Sequence, residues 1–324
     1  MRCLFLYLIC LIASTLPLQA QTSPTRLWLD TDIMIGLPEN APREVDDGIA
    51  LIMALAQPQL DIVGISVITE IDYGYQVTQQ LLRDYAPGRT IPVYKGSPKG
   101  DDLGTETDAS RALAAALRQE KLNILALGPA TNIATVLKNH PELAARIGTI
   151  VFCAGRTTGY PFRPGLRQHT VWDYNFELDV ESFRVILDAG IHVVLSGYQC
   201  SEYLHLGKAD VQFLRQGNKA DRWLYGVLEP WMKLSLDLFG VEGFIPYDTT
   251  PLGYFTHPQY FLIERDIPIV INYRQNDADL GPRLGQDKYF LEVSREYISR
   301  WKVDFAYRTL PGFEELVIEA IKAP

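Results

Sequence analysis

Cysteine is scarce in this chain: of 4 in 324 residues, Cys3 and Cys10 fall in an apolar N-terminal segment, which leaves Cys153 and Cys200. Two cysteines cannot form a disulfide scaffold for a chain of this length. Neither has Cys or His neighbours at zinc spacing, so both read as buried free thiols. Positive charge is also in short supply, with 30 Lys and Arg against 39 Asp and Glu and a formal net charge of −9. No basic stripe exists to displace counterions from a polyanion, which argues against a nucleic-acid partner and favours neutral or cationic small ligands. Internal repeats, low-complexity tracts and linkers are absent too, so residues 21–324 read as a single domain.

The N-terminal segment is the one long apolar run. Arg2 precedes apolar residues from Cys3 through Leu16, and Ala20 supplies the small residue at which a signal peptidase cuts. The run is too short for a membrane span and is followed by polar Gln21, Thr22 and Ser23. Residues 1–20 therefore read as an export signal, which predicts a periplasmic or secreted protein. Leu18 is an unusual residue three positions before that cut.

What is present in quantity is carboxylate at one strand-to-helix crossing. In LWLDTDIMIGLPENAPREVDDGIALIMALA, from Leu27 to Ala56, an apolar strand delivers Asp30 and Asp32, and Asp46 and Asp47 open an apolar helix. Like charges this close repel by several kcal/mol at about ε 20. A hard divalent cation is the simplest neutraliser, because Ca²⁺ and Mg²⁺ take carboxylate and carbonyl oxygens. The plainer alternative makes Asp46 and Asp47 a helix cap and a first-turn charge.

Further along, short apolar strands (residues 61–68, 91–94, 123–127, 150–153 and 192–196) alternate with amphipathic helices. This pattern predicts an α/β fold with a mainly parallel sheet covered on both faces. In such sheets ligands bind beyond the carboxyl ends of the strands. A polar loop at 155–170 and a single helix from the WDYN segment to Gly190 follow. Three short strands (269–273, 289–293, 303–307) and a helix from Gly312 close the chain.

Four blocks, DTD…DDGIAL, ILALGPATNIATVLKNHPELAARIGTIVFCAG, DYNFELDVESFRVILDAG and YDTTPLGY, together resemble the inosine/uridine-preferring nucleoside hydrolase family, in the family's order. The resemblance implies a nucleoside hydrolase-like fold, one bound Ca²⁺, and hydrolysis of the N-glycosidic bond of a ribonucleoside to ribose and free base. By position it implies that Asp32 is both a metal ligand and the catalytic base. Asp47, Asp248 and the Leu127 carbonyl would complete the metal site, with Asp30 supporting from behind. Asp46, Asp173, Asn175 and Tyr247 would face the substrate, a small nucleoside-like molecule. Whether copies assemble as a homo-oligomer is left open.

The chain departs from that pattern in its leaving-group half. Thirteen residues, 33–45, separate the two acidic pairs, and Gly36, Pro38 and Pro42 make them a loop that either covers the pocket or moves Asp46 off the sugar. TEIDYG leaves Glu70 or Asp72 where the family has an Asn. Tyr247 replaces an imidazole that would stack on or protonate the base, and His169 and Arg167 lie near the binding loop. The alternative function is accordingly a metal-containing ribose or nucleoside binding protein without catalysis. A D-x-D phosphotransferase fits less well, because no matching Lys and distal acidic motif stand out.

Overall fold

The computed structural model describes residues 23–37, 42–98, 102–281 and 283–322. Residues 1–20, read as the export signal, lie outside them. The sheet runs β3-β2-β1-β4-β5-β7-β10-β8-β9-β6, from β1 (Thr25–Thr31), β2 (Leu60–Val67), β3 (Val93–Lys95), β4 (Leu122–Ala126), β5 (Ile147–Phe152), β6 (Arg156–Thr157), β7 (His192–Leu195), β8 (Phe261–Gln275), β9 (Asp287–Val293) and β10 (Lys302–Thr309). From β3 to β10 all neighbours pair in parallel. β8 then runs antiparallel to β10.

Successive residues of β1 point to opposite faces. Leu27 and Leu29 join one buried cluster and Trp28 the other, so the sheet is covered on both sides, as the continuous apolar runs predict. Helix Asp46–Leu55 is buried at every residue and packs against helices Ile71–Tyr85, Thr249–Thr256 and Phe313–Ala320. From β1 the chain steps outward to β2 and β3, then returns to place β4 on the other side of β1. The strand order thus reverses at β1/β4, where open α/β sheets leave a crevice for ligands.

Three expected elements differ. The helix expected to continue to Gly190 is two, Tyr174–Leu178 and Val180–Asp188. Asp179 breaks it: its carboxylate accepts from the Ser182 N–H at 3.1 Å and caps the second piece. The strand expected at 269–273 is the end of a 15-residue strand. Its first half pairs with β10 and its second half with β9, so one strand carries two unlike neighbours. Two residues of the expected loop, Arg156 and Thr157, pair with β9.

Candidate active site

Asp30 is the last acidic residue within β1 and is fully buried. It accepts hydrogen bonds from the Ser66 hydroxyl and, at 2.9 Å, from Asn132 Nδ2. Ser66 Oγ in turn accepts from Trp28 Nε1 at 2.8 Å. Burial pushes the Asp30 carboxyl up to about 7, with Asp47 adding to the rise and the two hydrogen bonds opposing it. Its Oδ2 is buried without a hydrogen-bond partner among the described residues. This is the supporting position behind the site that the sequence assigns to it.

Asp32, Asp46, Asp47 and Asp248 gather just beyond, all at most 8% exposed. Carboxylate oxygens of Asp46, Asp47 and Asp248 lie within 4.8 Å of one another. Asp32 stands beside them in hydrogen-bonding contact with Asp47, which also accepts from the Thr31 hydroxyl. Asp46, assigned by position to the sugar, thus also stands in the carboxylate cluster. Burial is the main force raising Asp32, Asp46 and Asp248 well above the usual carboxylate range, and the neighbouring carboxylates add to it. Burial also takes Asp47 up to about 6, against hydrogen bonds from Thr31, Asp248 and Asp32.

Asp46 and Asp47 stand in the first turn of their helix, as the plainer alternative has it, but capping does not account for these side chains. Val45 is the cap residue of helix Asp46–Leu55, and no side chain bonds there. Asp248 precedes helix Thr249–Thr256 without a side-chain capping bond. Neighbouring carboxylates are among the largest influences on Asp32, Asp46 and Asp248. The donors are hard oxygens, they are crowded and buried, and Asp30 Oδ2 lacks a partner among the described residues. That set fits a hard divalent cation.

The carboxylates floor a cleft of about 440 Å³ that also takes in Leu127, Asp173, Asn175 and Tyr247. All the residues assigned to the site by sequence therefore meet in one place. Asn175 Nδ2 donates to the carbonyls of Leu127 at 2.5 Å and Cys153 at 3.0 Å, tying the ends of β4 and β5 together. The Leu127 carbonyl keeps a second lone pair for a cation. Asp173 accepts from the Gly155 N–H at 2.9 Å, and its own N–H donates to Glu177 Oε1 at 2.9 Å. The walls are aromatic. Trp172 and Tyr174 meet edge to face at 4.9 Å, and Phe162, Tyr198 and Tyr247 form a run with centroids 5.0 and 6.2 Å apart.

Other candidates fall outside. Asp72 pairs with Lys95 at 2.5 Å on the surface, and neither it nor Glu70 lines the cleft. His169 is half-exposed and 3.5 Å from Asp279, away from the cleft as is Arg167. Conversely, Met34, Arg43 and Glu44 of the 33–45 loop line it, as do Trp231 and Phe239. Sequence reasoning placed that loop near the pocket without naming its residues. The signal available was the loop's two ends, each pinned to a carboxylate pair of the site. Trp231, on helix Lys219–Phe239, both lines the cleft and packs against the core.

A parallel sheet with acidic side chains gathered at its switch point, below an aromatic cleft, defines a small-molecule enzyme of the metal-assisted hydrolase class. The comparisons with known proteins narrow it. The family model described as inosine-uridine preferring nucleoside hydrolase matches residues 27–298, and the chain belongs to that family. It is a ribonucleoside hydrolase, cleaving N-glycosyl bonds, of a metal-dependent family. The pyrimidine-specific ribonucleoside hydrolase RihA of Klebsiella pneumoniae subsp. pneumoniae is 27% identical over 256 residues, 68% of this chain and 79% of that protein. RihA of Salmonella typhimurium is 26% identical over 251 residues, 67% and 78% of the two chains. Among solved structures, a plant nucleoside hydrolase superposes with a TM-score of 0.70 at 19% identity, covering 93% of this chain and all of its own. A purine-preferring ribonucleoside hydrolase from Gardnerella vaginalis gives 0.69 at 20% identity, with 92% and 98% covered. The structural matches speak for the fold.

Proposed function

We propose that the protein is a calcium-dependent hydrolase that releases ribose and a free base from ribonucleosides, with Asp32 as the base that takes the proton of the attacking water. The observation that carries this reading is the convergence of Asp32, Asp46, Asp47 and Asp248 below a cleft that can take a nucleoside. A bound Ca²⁺ would be held by Asp32, Asp47, Asp248 and the Leu127 carbonyl, and would supply fixed positive charge to orient oxygen ligands. Asp32 stands beside the carboxylates that would hold the ion, and in its charged form it would accept the proton of a water bound there. As the base departs, the sugar becomes oxocarbenium-like, and the carboxylates around it stabilise that positive charge. Asp46, Asp173 and Asn175 orient the sugar hydroxyls, and the aromatic walls exclude water from the reacting carbon.

Two measurements test this reading. Reducing sugar released from a panel of nucleosides should appear with wild-type protein and vanish in Asp32→Asn with the fold intact; nucleoside binding with no sugar release at all would favour the non-catalytic binding protein. Chelation should abolish turnover and Ca²⁺ should restore it better than Mg²⁺. Equal rescue by Mg²⁺ would remove calcium from the assignment. We also propose export through residues 1–20, read from sequence; an N-terminus near Gln21 on protein recovered from the periplasm or medium is the expected result.

A further inference from the structure

Breaking the C1′–N bond of a neutral nucleoside leaves an electron pair on the base nitrogen, and a proton donor is needed to quench it. Among the described residues that line the cleft there is no histidine and no lysine, and Arg43 is the only basic residue. His205 lines an adjoining cavity of about 40 Å³ that shares Glu44, Asp46, Trp231 and Tyr247 with the cleft. Its Nε2 is buried without a partner among the described residues, and burial holds the ring towards its neutral form.

Charge points the same way. Six residues with carboxyl groups line the cleft, Asp32, Glu44, Asp46, Asp47, Asp173 and Asp248, against a single basic residue, Arg43. Arg156 and Lys288 lie behind Asp173 and are engaged elsewhere, Arg156 with Asp277 at 2.8 Å and Lys288 with Glu177 at 2.7 Å. The aromatic rings of Trp172, Tyr174, Trp231 and Tyr247 line the same cleft. A negative, aromatic, partly desolvated cleft holds a flat cation better than its neutral counterpart, through the ring quadrupoles and the carboxylates together.

We propose that the preferred substrates of this cleft are N-ribosides whose aromatic aglycone carries a permanent positive charge, such as an N-ribosyl pyridinium or an N7-alkylated purine riboside. The inference rests on the ribosidase reading above and names its leaving-group class. In the reaction a water oxygen bonds to C1′ as the C1′–N bond breaks, and the electron pair of that bond neutralises the aglycone ring. The products are ribose, a neutral heterocycle and one proton, which passes from the water to Asp32 and on to solvent. No proton is delivered to the leaving group, so the missing donor is not needed.

The test pairs guanosine with 7-methylguanosine, which differ by a methyl group and a charge, at a mildly acidic pH where the methylated base is fully cationic and with Ca²⁺ present. Calorimetric titration of Asp32→Asn, which separates binding from the greater lability of the methylated nucleoside, should show 7-methylguanosine bound about tenfold tighter. Adding Glu44→Gln should shrink that ratio severalfold. Wild-type protein should release ribose from nicotinamide riboside with a kcat/KM above that for uridine. Equal or weaker binding of the methylated nucleoside overturns the proposal. Release of sugar from neutral nucleosides without any preference for the cation overturns it while leaving the ribosidase reading standing. Absence of release from either class overturns the ribosidase reading instead, and the binding ratio still decides the charge preference.

Discussion

Asp32 is held from one side by a residue with no side chain. A Cβ on Gly128 would stand 2.9 Å from Asp32 Oδ1 and 3.0 Å from its Cβ, closer than real contacts allow. Gly128→Ala therefore displaces the carboxylate proposed as the base. A misplacement of about 1 Å costs on the order of a hundredfold in rate, so kcat should fall by about that factor while the urea midpoint moves little; steady-state kinetics beside a denaturation curve checks both. Behind the site, Ser66→Ala removes the hydroxyl between Trp28 Nε1 and Asp30 and leaves two buried polar groups short of a partner. A loss of about 1–3 kcal/mol, read from urea unfolding, is expected.

The strands at the far edge of the sheet support the binding loop through buried charge. Lys288 on β9 is 1% exposed and reaches Glu177 at 2.7 Å and Asp277 at 3.0 Å, and Glu177 in turn holds the Asp173 N–H. Removing one partner of a buried pair strands the other charge, so Lys288→Met should cost about 3–5 kcal/mol. Adding Glu177→Gln should recover part of it, because the orphaned carboxylate is then gone. Chemical denaturation of the two single variants and the double variant measures that coupling. The long β8 was legible only in its second half, where apolar residues alternate. In residues 261–268 the burial pattern is broken by Arg265 and Asp266, and pairing with β10 rather than side-chain period makes that stretch a strand.

For the molecule as a whole, a group that binds the folded state alone adds stability by mass action. Ca²⁺ at a hundred times its Kd should stabilise by about 2.7 kcal/mol, and Asp248→Asn should erase most of the resulting Tm shift in a thermal melt. pH acts through pairs remote from the site. Burial alone would raise Glu292, but hydrogen bonds from Arg274 at 2.6 and 2.7 Å and from Asn272 at 2.8 Å outweigh it and leave the carboxyl below its ordinary 4.5. A folded pKa below the unfolded one means the unfolded chain binds more protons in between. The contribution of Glu292 is therefore complete above about 4.5 and is lost as pH falls through the folded value. Unfolding curves for wild type and Glu292→Gln should differ at neutral pH and converge in acid.

Much of this protein was written in local pattern. Apolar strands alternating with amphipathic helices dictate a parallel sheet buried on both faces, because neither element can hide its apolar surface alone. The order of the acidic blocks along the chain placed every assigned site residue in one cleft. What the linear order could not hold was distance between side chains remote in the chain. That Asp46 joins Asp47 and Asp248 in one carboxylate group, that Asn175 bridges two carbonyls, and that Arg43 and Glu44 line the cleft follow from how helix Asp46–Leu55 is seated between its neighbours. Seating is decided by packing over the whole core, to which every buried side chain contributes, and so only the folded chain determines it.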